Sequence, residues 1–268
     1  MNTNFVRSGP LMHPASYPVW LQEIIANCAE ARRAVTEHEL FKLMSDNELS
    51  HHSLLQFFTG VWPVIEQFPQ YMAMNLLKVQ YGSLGHEMAR KYLIRNIRVE
   101  QSHAEYWIDW AQAHGVSRAK LLSRQRSGCV EALSHWCWHT CERDALATAM
   151  AATNYAIEGV TGEWAAQVSA SEQYANGFPI ELRRRAMKWL RAHAEYDDTH
   201  PWEALDIIAT LLGRQPAMHD IGEIQTAILK SYEYMHITLD YCLTEDITTQ
   251  SFGSPAIAVG TSACSVAH

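Results

Sequence analysis

Apolar residues recur at intervals of three and four along almost the whole of this 268-residue chain. The two-residue alternation of a half-buried strand is missing, so the pattern admits an all-α fold. Trp20, Ile24 and Cys28, at i, i+4 and i+8, mark a first amphipathic helix over 18–34. A short segment follows at 37–45, then a helix over 50–80 in which Pro63 predicts a kink or break near 59–63 and Pro69 a second irregularity. The spacing predicts one long helix over 84–114 ended by Gly115, a short one over 117–125, and a long one over 128–170 bent at Gly159 or Gly162. After the turn ANGFP, further helices are expected over 180–197, 201–213 and 217–244, with a break from Asp198 to Pro201. Residues 1–15 read as an irregular arm and 246–268, rich in Ser, Thr, Gly and Ala, as a flexible tail. No linker or repeat divides the rest, so 16–245 is expected to be a single helical domain.

Composition removes several classes of function. Hydrophobic residues make up 48% and charged residues 19%, which is enough to bury a core. Twenty-one basic against 29 acidic side chains leave a net charge of −8, the wrong sign for tracking nucleic-acid phosphates or an anionic membrane surface. No run of 18 apolar residues could span a bilayer. The start, MNTNFVRSGPLMHPASYP, has no apolar signal core, and the six cysteines lack framework spacing. A cytoplasmic protein with reduced thiols is expected.

The 14 histidines carry the most chemical information. In RAHAEYDDTH (191–200), His193, Asp197 and His200 stand at i, i+4 and i+7, so a helix through them would present imidazoles and a carboxylate on one stripe. Glu-x-x-His, the unit by which di-iron and di-manganese bundles ligate metal, occurs three times: Glu48/His51, Glu100/His103 and Glu233/His236. The third extends to Asp240 and is a rival constellation. Glu100/His103 lies between Ile97 and Trp107, where burial is expected, whereas Glu48/His51 follows a polar run and reads as a cap. Two further acids, Glu66 in GVWPVIEQF and Glu158 in NYAIEGVTG, sit in apolar helical stretches. A buried carboxylate is costly unless paired, protonated or bound to a cation; the plainer reading is a glutamate facing solvent. HWCWHTC (135–141) resembles a thiolate metal site, but on a helix His135 and His139 face away from Cys137 and Cys141. No Walker loop, nucleophile elbow or dinucleotide fingerprint is present.

Taken in chain order, GVWPVIEQFPQYM, IRVEQSHAEYW, NYAIEGVTGEW and RAHAEYDDTHPWEAL resemble the heme-oxygenase-like di-iron oxidases over about residues 15–245. Within that family the likeness is greatest to members that convert medium-chain fatty acids into terminal alkenes. The resemblance implies a seven-helix bundle of the TenA/PqqC type, with two ferrous ions held by Glu66, Glu100, His103, Glu158, His193, Asp197 and His200. It also implies O2 as co-substrate, an external electron donor, and oxidative decarboxylation of an acid such as dodecanoic acid to 1-undecene and CO2 through loss of a β-hydrogen. One departure from the family pattern is Asn96, seven residues before His103, which leaves Glu100 to serve as the carboxylate. Trp62, Trp107, Tyr155, Gly162 and Trp189 are candidates to line the alkyl slot, ordinary core being the alternative role for each aromatic.

Three other functions fit the same pattern less closely. They are a related iron oxygenase acting on an amino acid or amine, a metal-free relative like the thiamin-salvage and quinone-cofactor enzymes, and a helical module that sequesters a fatty acid or haem. For haem, His13 or His38 would be the available axial ligand.

Overall fold

The computed structural model describes residues 4–123, 127–196 and 199–244. These form helices with no strand among the described residues, as the periodicity requires. The first helices are short: α1 (Val19–Asn27), α2 (Ala29–Thr36) and α3 (Glu39–Ser45). Longer ones follow: α4 (His51–Leu77), α5 (Leu84–Glu100) and α6 (His103–Ala113), then the short α7 (Arg118–Leu122) and α8 (Gly128–Arg143). After them come α9 (Leu146–Met150), a π-helical segment (Ala151–Ile157), α10 (Glu158–Ser169), α11 (Glu172–Asn176), α12 (Ile180–Ala186), α13 (Lys188–Tyr196), α14 (His200–Leu212) and α15 (Met218–Leu243).

Local chemistry sets most of the ends. Ser50 and Ser83 accept from the backbone N–H groups of Ser53 and His86, capping α4 and α5. Gly115, at φ +81°, follows α6, and Gly213, at φ +80°, follows α14; both supply the left-handed turn that other residues resist.

Several expected helices are divided differently. The stretch 84–114 is interrupted at Gln101–Ser102, so Glu100 ends α5 and His103 begins α6. The stretch 128–170 breaks at Asp144 and then widens into π turns over Ala151–Ile157, ahead of the glycines expected to bend it. Conversely, α4 runs unbroken through Pro63 and Pro69. Each proline withdraws one donor, and the helix is held by apolar burial of Phe57, Phe58, Trp62, Val64 and Phe68. The predicted tail lies outside the described residues.

α4 packs against α5, α8 and α15; α10 lies against α13; α14 and α15 cover the π segment. One continuous core results, in which Trp107, Trp110, Trp189, Phe57 and Phe58 are fully buried. No described helix is long and apolar enough to cross a membrane.

Candidate metal centre

Helix ends bring five ionisable side chains to the middle of this core. Glu100 is the last residue of α5, His103 the first of α6, Glu158 the first of α10 and His200 the first of α14; His193 comes from within α13. All five are buried. Where a helix starts or stops, backbone irregularity can re-aim a side chain, and the π segment just before Glu158 does this by adding width to a turn.

Two groups form. In the first, the ligand atoms of Glu100, His103 and His193 lie within 4.8 Å of one another. His103 Nδ1 is 2.8 Å from Glu100 Oε2, and the rings of His103 and His193 are 4.4 Å apart. His193 Nδ1–H donates to the Trp189 carbonyl at 2.9 Å, which fixes the tautomer and leaves the Nε2 lone pair free. In the second, His200 Nδ1 lies 3.1 Å from Glu158 Oε1, while Tyr92 and Asn154 donate to Glu158 Oε2 at 3.3 and 3.2 Å.

Electrostatics link the groups. Burial opposes ionisation of Glu100, but the bond from His103 and the nearby imidazoles of His103, His193 and His200 outweigh it and hold the carboxyl below its ordinary value. Burial dominates at Glu158 and pushes its carboxyl up, against the bond from His200. Burial and the neighbouring His103 drive His193 down to about 3, so it is a neutral base. Burial would lower His200 too, but the bond and charge of Glu158 raise it. Two buried carboxylates beside three imidazoles form a donor set that suits iron, and a cation would offset the cost of burying them.

Not every predicted residue arrives. Glu66 is exposed and lines a separate surface pocket with Gln67, Glu131 and His135. The stripe Val61, Val64, Ile65, Phe68 turns inward, and Glu66 falls about 150° round α4 from its centre. The expected single stripe through His193 and His200 is also corrected: His200 reaches the site from the start of α14, whose first turn Pro201 favours. Asp197 lies outside the described residues. Asn96 is fully buried, and its Nδ2 has no hydrogen-bond partner among the described residues.

The rival constellation does form a cluster, of His38, His236 and Asp240. His38 Nδ1 accepts from the Leu40 backbone N–H, so a neutral ring carries its proton on Nε2, where it donates to Asp240 at 3.1 Å. Metal at Nε2 would displace that proton and set a new Nδ1–H against the helix cap. Glu233 is exposed and pairs with Lys230. Cys137 and Cys141 are buried and His135 and His139 exposed, the opposition that the helix geometry of HWCWHTC requires.

A largely apolar cavity opens onto Glu100, His103, Glu158 and His193. Its walls are Val61, Val64, Ile65 and Phe68 of α4, Leu133 of α8 and Met235 and Leu239 of α15, with Phe41, Phe57, Trp164 and Trp189. Of the five residues proposed to line it, only Trp189 does. Trp62 and Trp107 are buried in the core, Trp107 donating to the Phe58 carbonyl, and Tyr155 and Gly162 border a different pocket beside Arg32 and Trp202. The α4 and α15 walls follow helical spacing and were readable as stripes; which stripe faced the histidines was not.

The sequence model of a family described as iron-containing redox enzyme matches residues 55–232. The chain belongs to that family. A solved structure of a TenA homolog from Pseudomonas syringae pv. tomato is 50% identical, covers 89% of this chain and 98% of its own, and superposes with a TM-score of 0.88. A domain with a heme-oxygenase-like fold from Shewanella denitrificans (14% identity, 87% and 96% coverage, TM-score 0.68) shares the fold. So does a TenA homologue from Pyrococcus furiosus (12%, 84% and 100%, TM-score 0.67). The fold is thus heme-oxygenase-like, as the resemblance implied. No curated protein matches the chain.

Proposed function

We propose that this family member is a di-iron, O2-dependent oxidase that decarboxylates medium-chain fatty acids, such as dodecanoic acid, to terminal alkenes such as 1-undecene. The observation that carries the reading is the junction of a buried carboxylate–imidazole cluster with an apolar cavity. Glu100, His103 and His193 would hold one iron, and Glu158 and His200, with Asp197, the other. Bound there, iron would supply the O2-dependent oxidation of the substrate.

The chain's own residues do the positioning. The α4 and α15 walls bury the alkyl tail at about 0.8 kcal/mol per methylene, which orders acids by length. The described lining contains no lysine or arginine, so a fatty-acid carboxylate would find its countercharge only at the cluster end of the cavity, from the iron held there. That placement sets the β-carbon next to the cluster and the remaining methylenes beyond it, favouring β-hydrogen loss over oxidation along the chain. The same apolar walls keep bulk water from the reacting end. Removal of the β-hydrogen and of CO2 withdraws two electrons from the acid; reducing O2 to water takes four, so an external reductant supplies two.

The P. syringae relative is named a TenA homolog, which favours a second reading, a metal-free enzyme of the TenA kind. One experiment separates the two: anaerobic reconstitution with ferrous iron, metal analysis, then gas chromatography of the headspace after adding ascorbate, O2 and a C8–C16 acid series. About two irons per chain and an alkene one carbon shorter than the acid bear the proposal out. Absence of bound iron, or O2-dependent turnover by the iron-free protein, sinks it.

A further inference from the structure

From the imidazole of His193, aromatic rings continue outward without a gap. The Trp189 indole stacks on His193 at 3.7 Å between centroids. Trp110 stacks on Trp189 at 5.5 Å with the planes 19° apart. The Trp110 Nε1–H donates to the Tyr174 hydroxyl at 2.7 Å, and that hydroxyl lies 2.8 Å from His114 Nε2. His114 and Tyr174 both border a pocket formed with Met44, Asn47 and Phe178, distinct from the apolar cavity. We infer that Trp189, Trp110 and the Tyr174–His114 pair form a relay that carries single electrons from this pocket to the cluster at His193.

The inference rests on the oxidase reading, which requires electrons from outside at a centre buried in the core. Each member has chemistry fitted to its place. Trp189 has no hydrogen-bond partner for its Nε1–H among the described residues, and the Trp110 N–H meets only a neutral hydroxyl. Loss of one electron from either indole therefore leaves a cation that keeps its proton and passes the charge on. Tyr174 differs, because a phenol gives up an electron readily only if its proton has somewhere to go. Its oxygen accepts from Trp110, so its own O–H is satisfied by donating to His114 Nε2. Burial pushes the Tyr174 phenol well above its usual range and His114 down to about 4, so the resting pair is phenol and neutral imidazole.

The step balances as follows. An electron leaves Tyr174 through Trp110 and Trp189 towards the oxidised cluster, and the phenolic proton moves to His114. A one-electron donor of the ascorbate class at the pocket then reduces the tyrosyl radical, and His114 returns the proton. The net change is one electron moved from donor to cluster. Other aromatics touch the array, including Trp164 at 5.3 Å and Trp107 at 4.8 Å from Trp189, but neither has a hydrogen-bonded proton acceptor beside a phenol.

Two measurements test the relay, one without iron. Near-ultraviolet photolysis of the iron-free protein in frozen solution ionises tryptophans directly. Electron paramagnetic resonance with ring-deuterated tyrosine then shows whether the oxidation reaches Tyr174 on annealing. The wild-type chain is expected to develop a tyrosyl signal narrowed by the label; Tyr174→Phe, which keeps the ring, and Trp110→Phe are expected to lose it and retain tryptophan radicals. In the iron-loaded protein exposed to O2 without substrate, the same two variants should lose the tyrosyl signal while binding as much iron as wild type. Circular dichroism checks that both fold. An unchanged tyrosyl yield in both photolysed variants overturns the relay whatever the metal content. Failure to bind iron, with the photolysis result as expected, overturns the oxidase reading alone.

Discussion

Glu100 and Glu158 are chemically the same side chain in unlike surroundings. Glu100 has His103 at 2.8 Å and two further imidazoles close by, and stays ionised; Glu158 is dominated by burial and is pushed up despite His200. His193→Ala and Glu158→Ala are therefore expected to lose iron while keeping their helicity, read by metal analysis and circular dichroism. Glu66→Ala is expected to bind as much iron as wild type, because its carboxylate faces a surface pocket. A fall in iron with that variant would restore Glu66 to the ligand set. His114 gives a pH prediction with a definite sign. Its pKa is about 4 when folded against 6.5 in the free side chain, so the unfolded chain binds the proton first as pH falls. Its contribution lowers stability between about pH 6.5 and 4 and is absent above that window. Thermal midpoints of the iron-free protein should drop across the window, and by less in His114→Gln.

At the scale of helices, the order and approximate extent of the elements were legible because periodicity and glycine stops act locally; Gly115 and Gly213 end helices where expected. The breaks that build the site were not. Nothing in IRVEQSHAEYW distinguishes Gln101–Ser102 from mid-helix residues, and the π turns at Ala151–Ile157, which pack against α14 and α15, carry no mark in their own segment. Glu100, His103 and His193 were legible by their spacings, and Glu158 as an acid in an apolar stretch. Glu66 enters the ligand set only through the family resemblance, since helical periodicity itself sets it opposite the inward stripe of α4; periodicity applied too literally accounts for the other error, the single rod through His193 and His200. The π segment makes a prediction at its own scale. An alanine inserted between Ile157 and Glu158, taken up as ordinary α-helix, should rotate Glu158 by about 100° relative to the upstream helix. Iron bound per chain should fall, with little change in far-ultraviolet circular dichroism.

For the molecule as a whole, the cavity is a joint product of α4, α8, α10, α13 and α15, so its length belongs to the packing and not to any one helix. Val64 is buried and lines it. Val64→Phe should shift the preferred acid to a shorter chain in the headspace assay, at a cost of about 1–3 kcal/mol in stability from overpacking. An unchanged length profile would mean that the acid lies elsewhere.

The five buried donors also come from five stretches of backbone: the end of α5, the starts of α6, α10 and α14, and the body of α13. A cation gripped there would act as a rivet through distant parts of the polypeptide, so the cofactor would double as a fastener. At a free iron concentration 100 times the dissociation constant, mass action alone adds about 2.7 kcal/mol to the native state. A chelator would then soften the protein as well as silence it, and scanning calorimetry with and without ferrous iron should record a lower melting temperature for the stripped form.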